Sequence, residues 1–245
     1  MYNLYLSTML LFTLSALAAN AGDRFQNDVV RTSSGALKIT FIGHASLIFS
    51  FYNKIVYVDP FSRLADYATL PKADVIVITH EHQDHLDPAA IEKIRTEKTK
   101  IALSEAAAKQ FPGGIVMKNG DVRIVEGVTI EAVPAYNIVH KRETGGPFHP
   151  RGAGNGYIMT FGDKRVYVAG DTENIPEMAG LKNIDIAFLP MNLPYTMTPE
   201  MTAAAAKKIR PRILYPYHYG STDTSLLMAL LKNQKGTEVR IRKME

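Results

Sequence analysis

Apolar and polar positions along this chain fall into short periods, most of them of two. Leu37, Ile39 and Phe41 alternate with Lys38 and Thr40, the spacing of a strand with one buried face. Gly43 and His44 turn the chain into a second strand, Ala45–Ser50, and a third runs from Lys54 to Asp59, where Pro60 stops the ladder. Asp74–Thr79 holds an unbroken apolar run, the mark of a strand covered on both faces. Helical spacing follows over Ala89–Arg95, then a short strand near Ile101–Leu103 and a helix capped by Ser104. The second half has the same grammar. Asp121–Val125 and Val128–Val133 form a hairpin, and a long loop covers 134–155. Strands Tyr157–Phe161 and Arg165–Ala169 follow, then the apolar run Ile184–Leu189. Thr198 and Pro199 open an alanine-rich helix, before a strand at Ile213–Tyr215, a helix near Thr222–Lys232 and a last strand, Glu238–Lys243. Each half therefore predicts strands first and strand–helix units after them. Two mixed sheets packed face to face, with helices on the outer faces, would bury these runs. The polar stretch 22–36 reads as a linker, and the folded domain as 37–245.

Composition sharpens the picture at two points. The 245 residues contain no cysteine, so any metal site must be built from histidine and carboxylate. The net charge of +4 is mild, and Arg240, Arg242 and Lys243 read as a solvated terminus; no nucleic-acid partner is expected. Leu4–Leu17 is largely apolar, and Ala19-Asn20-Ala21 has the small-x-small form of a cleavage site before Gly22. Residues 1–21 thus read as a signal peptide, although the start carries no Lys or Arg. The apolar stretch is short for a span and no second one follows, so export to a bacterial periplasm without a lasting membrane span is expected. Oligomeric state is left open.

The strongest chemistry sits at the end of the 74–79 run. His80, His82, Asp84 and His85 place four metal-competent side chains within six residues. His80 and His82, two apart in extended chain, can hold one metal; Asp84 and His85, beyond the turn, can face a second. Asp171, leaving its strand at Gly170, is suited to bridge them, and His218 at the end of a late apolar strand completes the second. Two metals together lower the pKa of a shared water and polarise a scissile group.

With those residues in view, the chain resembles the metallo-β-lactamase-fold hydrolases. The likeness rests on His80-x-His82-x-Asp84-His85, Gly170-Asp171-Thr172 and His218, and covers nearly all of 37–243. Gly43-His44, Val58-Asp59-Pro60, Pro134-Ala135-Tyr136-Asn137 and Tyr195 narrow it. They point to the branch holding ascorbate-6-phosphate lactonase-like and N-acyl-phosphatidylethanolamine phospholipase D-like proteins. The resemblance implies an αββα sandwich and two divalent metals, zinc first and manganese as the alternative. It implies His80, His82, Asp84, His85, Asp171 and His218 as ligands, with Asp84 also orienting the nucleophile or relaying its proton. One ligand does not carry over: relatives often place a histidine where this chain has Asn137. His149, in the rigid Phe148-His149-Pro150, is the preferred replacement, with His140 and Asn137 as alternatives. His44 is expected to hydrogen-bond at the site floor and Asp59 to orient a ligand imidazole. Asn137 and Tyr195, with Tyr136, Tyr217 and Tyr219, are candidates to line the cleft.

The expected activity is hydrolysis of a small ester, lactone or phosphodiester by a metal-bridging hydroxide. Lys141, Arg142 and Arg151 in the long loop favour an anionic small-molecule substrate. Two other classes stay open: a weakly active or inactive metal-binding sensor on the same scaffold, and an RNA-processing enzyme were the protein not exported.

Overall fold

Two seven-stranded sheets face each other, and in each the strands lie side by side in chain order. The computed structural model describes residues 24–245, so the expected signal peptide lies outside the described residues. The first sheet comprises β1 (Asn27–Thr32), β2 (Gly35–Gly43), β3 (Ser46–Phe51), β4 (Lys54–Val58), β5 (Val75–Ile78), β6 (Lys100–Ser104) and β7 (Ile115–Met117). The second comprises β8 (Val122–Val125), β9 (Val128–Ala135), β10 (Gly154–Phe161), β11 (Lys164–Val168), β12 (Ile186–Pro190), β13 (Ile213–Tyr217) and β14 (Glu238–Val239). β1 to β4 and β8 to β11 pair antiparallel, through short turns except between β9 and β10, which a long loop joins. The later pairs of each sheet are parallel. A parallel pair needs a crossover, and helices provide four of them: α1 (Pro88–Ile94), α2 (Glu105–Gln110), α3 (Pro199–Ile209) and α4 (Thr224–Leu231). This is the αββα sandwich the sequence pattern implied.

The apolar run of β5 shows why both layers form. Val75 and Val77 point into the cluster between the sheets, while Ile76 and Ile78 join Ile91 and Ile94 of α1 on the other side. All four strand residues are fully buried. Across the interface between the sheets Phe49 stacks on Phe161, and within the second sheet Phe188 stacks on Tyr215, with ring centroids 5.4 and 5.0 Å apart. Side-chain caps fix the helix starts: Asp87, Ser104, Thr198 and Asp223 each accept a backbone N–H of the first turn.

Three sequence expectations need correction. The stretch read as a linker contains β1, which pairs along its whole length with β2. Asp28 anchors it, accepting from Tyr215 and Arg242 of the other half. β7 was not anticipated, because three residues between turns carry no readable period. The last strand ends at Val239 instead of Lys243, since the tail leaves the ladder to reach Tyr219 and His44. Among the described residues, no helix is long and apolar enough to cross a membrane.

Candidate metal centre

Strand ends position much of the site, while His82, Asp84 and His85 lie in the turn after β5 and His149 in the loop between β9 and β10. His44 directly follows β2, Asp59 follows β4, Thr79 and His80 follow β5, Asn137 lies just past β9, Asp171 shortly after β11, and His218 directly follows β13. These ends open onto one rim between the sheets. His44, Asp59 and His218 adopt left-handed backbone, with φ of 51°, 44° and 46°. Each such residue costs about 1–3 kcal/mol and persists only where its surroundings fix it. The His218 N–H donates to the His44 carbonyl at 2.9 Å, tying the sheets together where both are strained. Gly170 is left-handed as well, and a Cβ there would meet the Asn155 carbonyl at 2.9 Å and Thr79 Cβ at 3.1 Å.

Three imidazoles form one group. His80 Nε2 lies 3.1 Å and His149 Nε2 3.2 Å from His82 Nδ1. Hydrogen bonding on their far sides assigns the tautomers. The Asn137 Oδ1 takes the His149 Nδ1–H at 2.7 Å. The Thr79 hydroxyl gives its proton to Asp59 at 2.6 Å and so accepts from His80 Nδ1 at 3.0 Å. Both Nε2 atoms are therefore bare lone pairs aimed at His82. Burial pushes His80 well below the ordinary histidine range and lowers His82 too, helped by neighbouring imidazoles. Both shifts favour the uncharged forms of His80 and His82.

A second group lies deeper. His85, His218, Asp84 and His44 converge, with Asp84 Oδ2 2.9 Å from His44 Nε2, 3.6 Å from His85 Nε2 and 3.7 Å from His218 Nε2. Asp59, wholly buried, holds His85 Nδ1 at 2.8 Å. Asp171 stands between the groups. Its Oδ1 is 3.5 Å from His85 Nε2, and its Oδ2 is 3.3 Å from His149 Nε2 and 3.4 Å from His218 Nε2. Burial pulls the His85 imidazole down, but Asp171 and Asp59 overcome it and push the pKa up to about 9. Burial would raise the Asp171 carboxyl, yet His218 and His85 hold it well below the usual range. Asp84 is held down against its own burial by His218 and His44.

His85 Nε2, His218 Nε2 and Asp171 Oδ1 are buried and have no hydrogen-bond partner among the described residues. An unmet buried polar atom costs about 1–3 kcal/mol, so three facing one another need a common partner. A divalent cation fits: the donors are imidazole nitrogen and carboxylate oxygen, the set that zinc and manganese accept.

His140 stays out of both groups, bonded at 2.7 Å to Glu173, and Asn137 turns its oxygen to His149. A mouth of about 460 Å³ opens above the centre, lined by His44, Arg142, Phe148, Asn192 and Tyr195 among others. Tyr136, Tyr217 and Tyr219 do not line it, which corrects that expectation; the Tyr136 hydroxyl is spent on Glu177 and that of Tyr219 on the Arg242 carbonyl. Arg151 pairs with Glu177 at 2.7 Å and is likewise absent from the mouth. Glu173 and Asn192 were missed in the sequence, where nothing local marks either one.

The Beta-lactamase superfamily domain model matches residues 38–218. A crystal structure of a protein from Parabacteroides distasonis, assigned as a metal-dependent hydrolase, is 52% identical with a TM-score of 0.86, covering 90% of this chain and all of that one. The UPF0173 metal-dependent hydrolase of Pelotomaculum thermopropionicum is 30% identical over 195 residues, 76% of this chain and 85% of the relative. Igni18 of Ignicoccus hospitalis, described as a metallo hydrolase, is 25% identical with a TM-score of 0.69, over 85% of this chain and 96% of that one.

Proposed function

This chain belongs to the metallo-β-lactamase superfamily, and within it to the UPF0173 family of metal-dependent hydrolases; from that premise we propose a binuclear enzyme that hydrolyses a small anionic ester, lactone or phosphodiester. The observation that carries the reading is the convergence of two donor groups on one carboxylate, Asp171, with three buried atoms left unpartnered. His80, His82 and His149 would hold one metal and His85, His218 and Asp84 the other, with Asp171 shared. Zinc is the first choice and manganese the second. Metals held there would supply a nucleophile at neutral pH and polarise the scissile group.

The chain's own residues do the rest. Asp84 stays ionised across the working range, held down by His218 and His44, so it serves as an acceptor that orients a water. Among the described residues, Arg142 is the only Lys or Arg lining the mouth. Its guanidinium is fixed by the Phe148 carbonyl at 3.0 Å and lies over the Phe148 ring at 5.3 Å, with one N–H 3.4 Å from His82 Nε2. Once His82 Nδ1 is a ligand, Nε2 carries the proton and no longer accepts from Arg142. Two donors then face the mouth together, which suits an anionic oxygen of the substrate. Tyr195, half exposed and edge-on to Phe148 at 5.1 Å, offers an apolar wall beside them.

Ascorbate-6-phosphate lactonase-like or phospholipase D-like chemistry and export to a periplasm belong to the same reading, supported by the motifs around Gly43-His44, Asp59-Pro60 and Asn137 and by the apolar start of the chain. Metal content by elemental analysis, with turnover of bis-p-nitrophenyl phosphate and of a simple lactone, tests it. Two equivalents of metal and turnover lost in Asp84→Ala are expected. Wild-type protein that takes up zinc or manganese at fewer than two equivalents would overturn the binuclear reading.

A further inference from the structure

Glu173 is buried to 1% exposure two residues beyond Asp171, and among the described residues no lysine or arginine pairs with it. Five donors do so instead. Oε2 accepts the N–H groups of Ile138 and Val139 at 2.7 and 2.6 Å. Oε1 accepts from the His140 N–H and Nδ1, both at 2.7 Å, and from Asn137 Nδ2 at 3.1 Å. The Glu173 N–H in turn donates to the Tyr136 carbonyl at 3.0 Å. The carboxylate thereby fixes the chain path from 136 to 140.

It also fixes the Asn137 amide. Nδ2 faces two acceptors, Glu173 and the Tyr195 carbonyl at 2.9 Å, while Oδ1 faces the His149 N–H at 2.8 Å and Nδ1 at 2.7 Å. A flipped amide would set donor against donor on one side and acceptor against acceptor on the other. With the amide locked, His149 must carry its proton on Nδ1. We propose that Glu173 is a positioning residue that acts through Asn137 to keep His149 Nε2 bare and facing His80 and His82, so that the first metal position depends on Glu173 and the second does not. The inference rests on the two-metal reading for its consequence, and on hydrogen-bond geometry alone for the tautomer.

Two readouts separate those parts. Nitrogen-15 NMR of the metal-free full chain reports the His149 tautomer directly. The Nδ1–H form is expected in wild type, and a proton on Nε2 there would overturn the proposal whatever the metals do. Titration of zinc against a chromophoric chelator then follows each equivalent. In Asn137→Ala and Glu173→Gln, one equivalent should weaken by about 10–100-fold and the other hold its affinity. His140→Ala, which removes a Glu173 partner that leads nowhere near His149, should keep both. The double variant Asn137→Asp/Glu173→Gln returns an acceptor to His149 and a donor to residue 137, and should recover part of the loss. If Asn137→Ala, folded by circular dichroism, binds both equivalents as wild type does, or loses both in parallel, the assignment fails. A wild type that binds only one equivalent, with His149 as the Nδ1–H form, sinks the two-metal reading and leaves the positioning role standing.

Discussion

The two donor groups are built from the same residue type and differ in almost everything else. His218 follows the end of β13 and His85 lies in the turn after β5; both are buried to 2% exposure or less, and their nearest carboxylates are Asp59, Asp84 and Asp171. Of His80, His82 and His149, only His82 is part-exposed, at the mouth, and their outer contacts are a threonine hydroxyl, an amide and an arginine. One group is oriented by a buried charge, Asp59; the other by a neutral amide that a buried charge holds from behind. A carboxylate against an imidazole raises its proton affinity, whereas an amide fixes the tautomer and adds no charge. His85 therefore holds a proton that a metal must displace, whereas burial disfavours the charged forms of His80 and His82.

The largest expected effect should erase this contrast. Asp171→Ala removes the carboxylate both groups share, so metal content should fall at both positions and activity by about three orders of magnitude, the several kcal/mol a Lewis acid contributes. Retention of one tightly bound equivalent would show that the groups do not share it. Asp59→Ala sharpens the contrast from the other side. Its loss frees His85 Nδ1 and the Thr79 N–H, held now at 2.8 Å each, and releases the Thr79 hydroxyl that faces His80, so metal affinity should drop about 10–100-fold at the deep position and by less at the outer one.

Proton release reads the difference without a mutation. His85 is pushed up to about 9 in metal-free protein, whereas His80 and His82 are pushed below the ordinary range. Zinc binding at pH 7.5 should therefore release a proton from His85 and none from His80 or His82. Calorimetry in buffers of different ionisation enthalpy measures it, and release that vanishes above pH 9 identifies His85. Arg142→Ala touches only the mouth. KM for an anionic substrate should rise by about tenfold, the 1.4 kcal/mol of one charge-assisted hydrogen bond, with metal content unchanged. An equal rise for a neutral ester would remove the anion argument.

The smallest effect on either group should come from Asp28→Ala. Burial tends to raise this carboxyl, but Tyr215 and Arg242 lower it on balance, so its folded value lies below the ordinary 3.8 of an aspartate. Its contribution is thus fully present above about pH 4 and lost as pH falls through the lower folded value. The variant should lose about 2 kcal/mol of stability at pH 7, less at pH 3, with both metal affinities intact. Thermal melts at the two pH values check it.

How much of this could be read from the chain depends on how local each feature is. The alternation at Leu37, Ile39 and Phe41 and the unbroken run before His80 gave strands in the right places, because burial on one face or two leaves a period of two or none. β1 was hidden: its alternation of exposed and half-buried residues is that of a polar edge, hardly distinct from a linker. His44 was visible as a turn residue, but its contact with Asp84 spans 40 positions. Glu173 carried no signal, since its five donors lie 33–36 residues earlier in a loop without periodicity.

By itself the sequence determined the kind of chemistry. With no cysteine and four donors within six residues, the centre had to be nitrogen and carboxylate oxygen at the end of a buried strand. Only the tertiary structure decided which of His140, His149 and Asn137 faces His82. His149 reaches it across 67 residues, and it does so because Glu173 bends the intervening loop and Asn137 turns the ring. Donor identity is written in composition and spacing; convergence depends on the backbone path between distant segments, which hydrogen bonds far apart in the chain select.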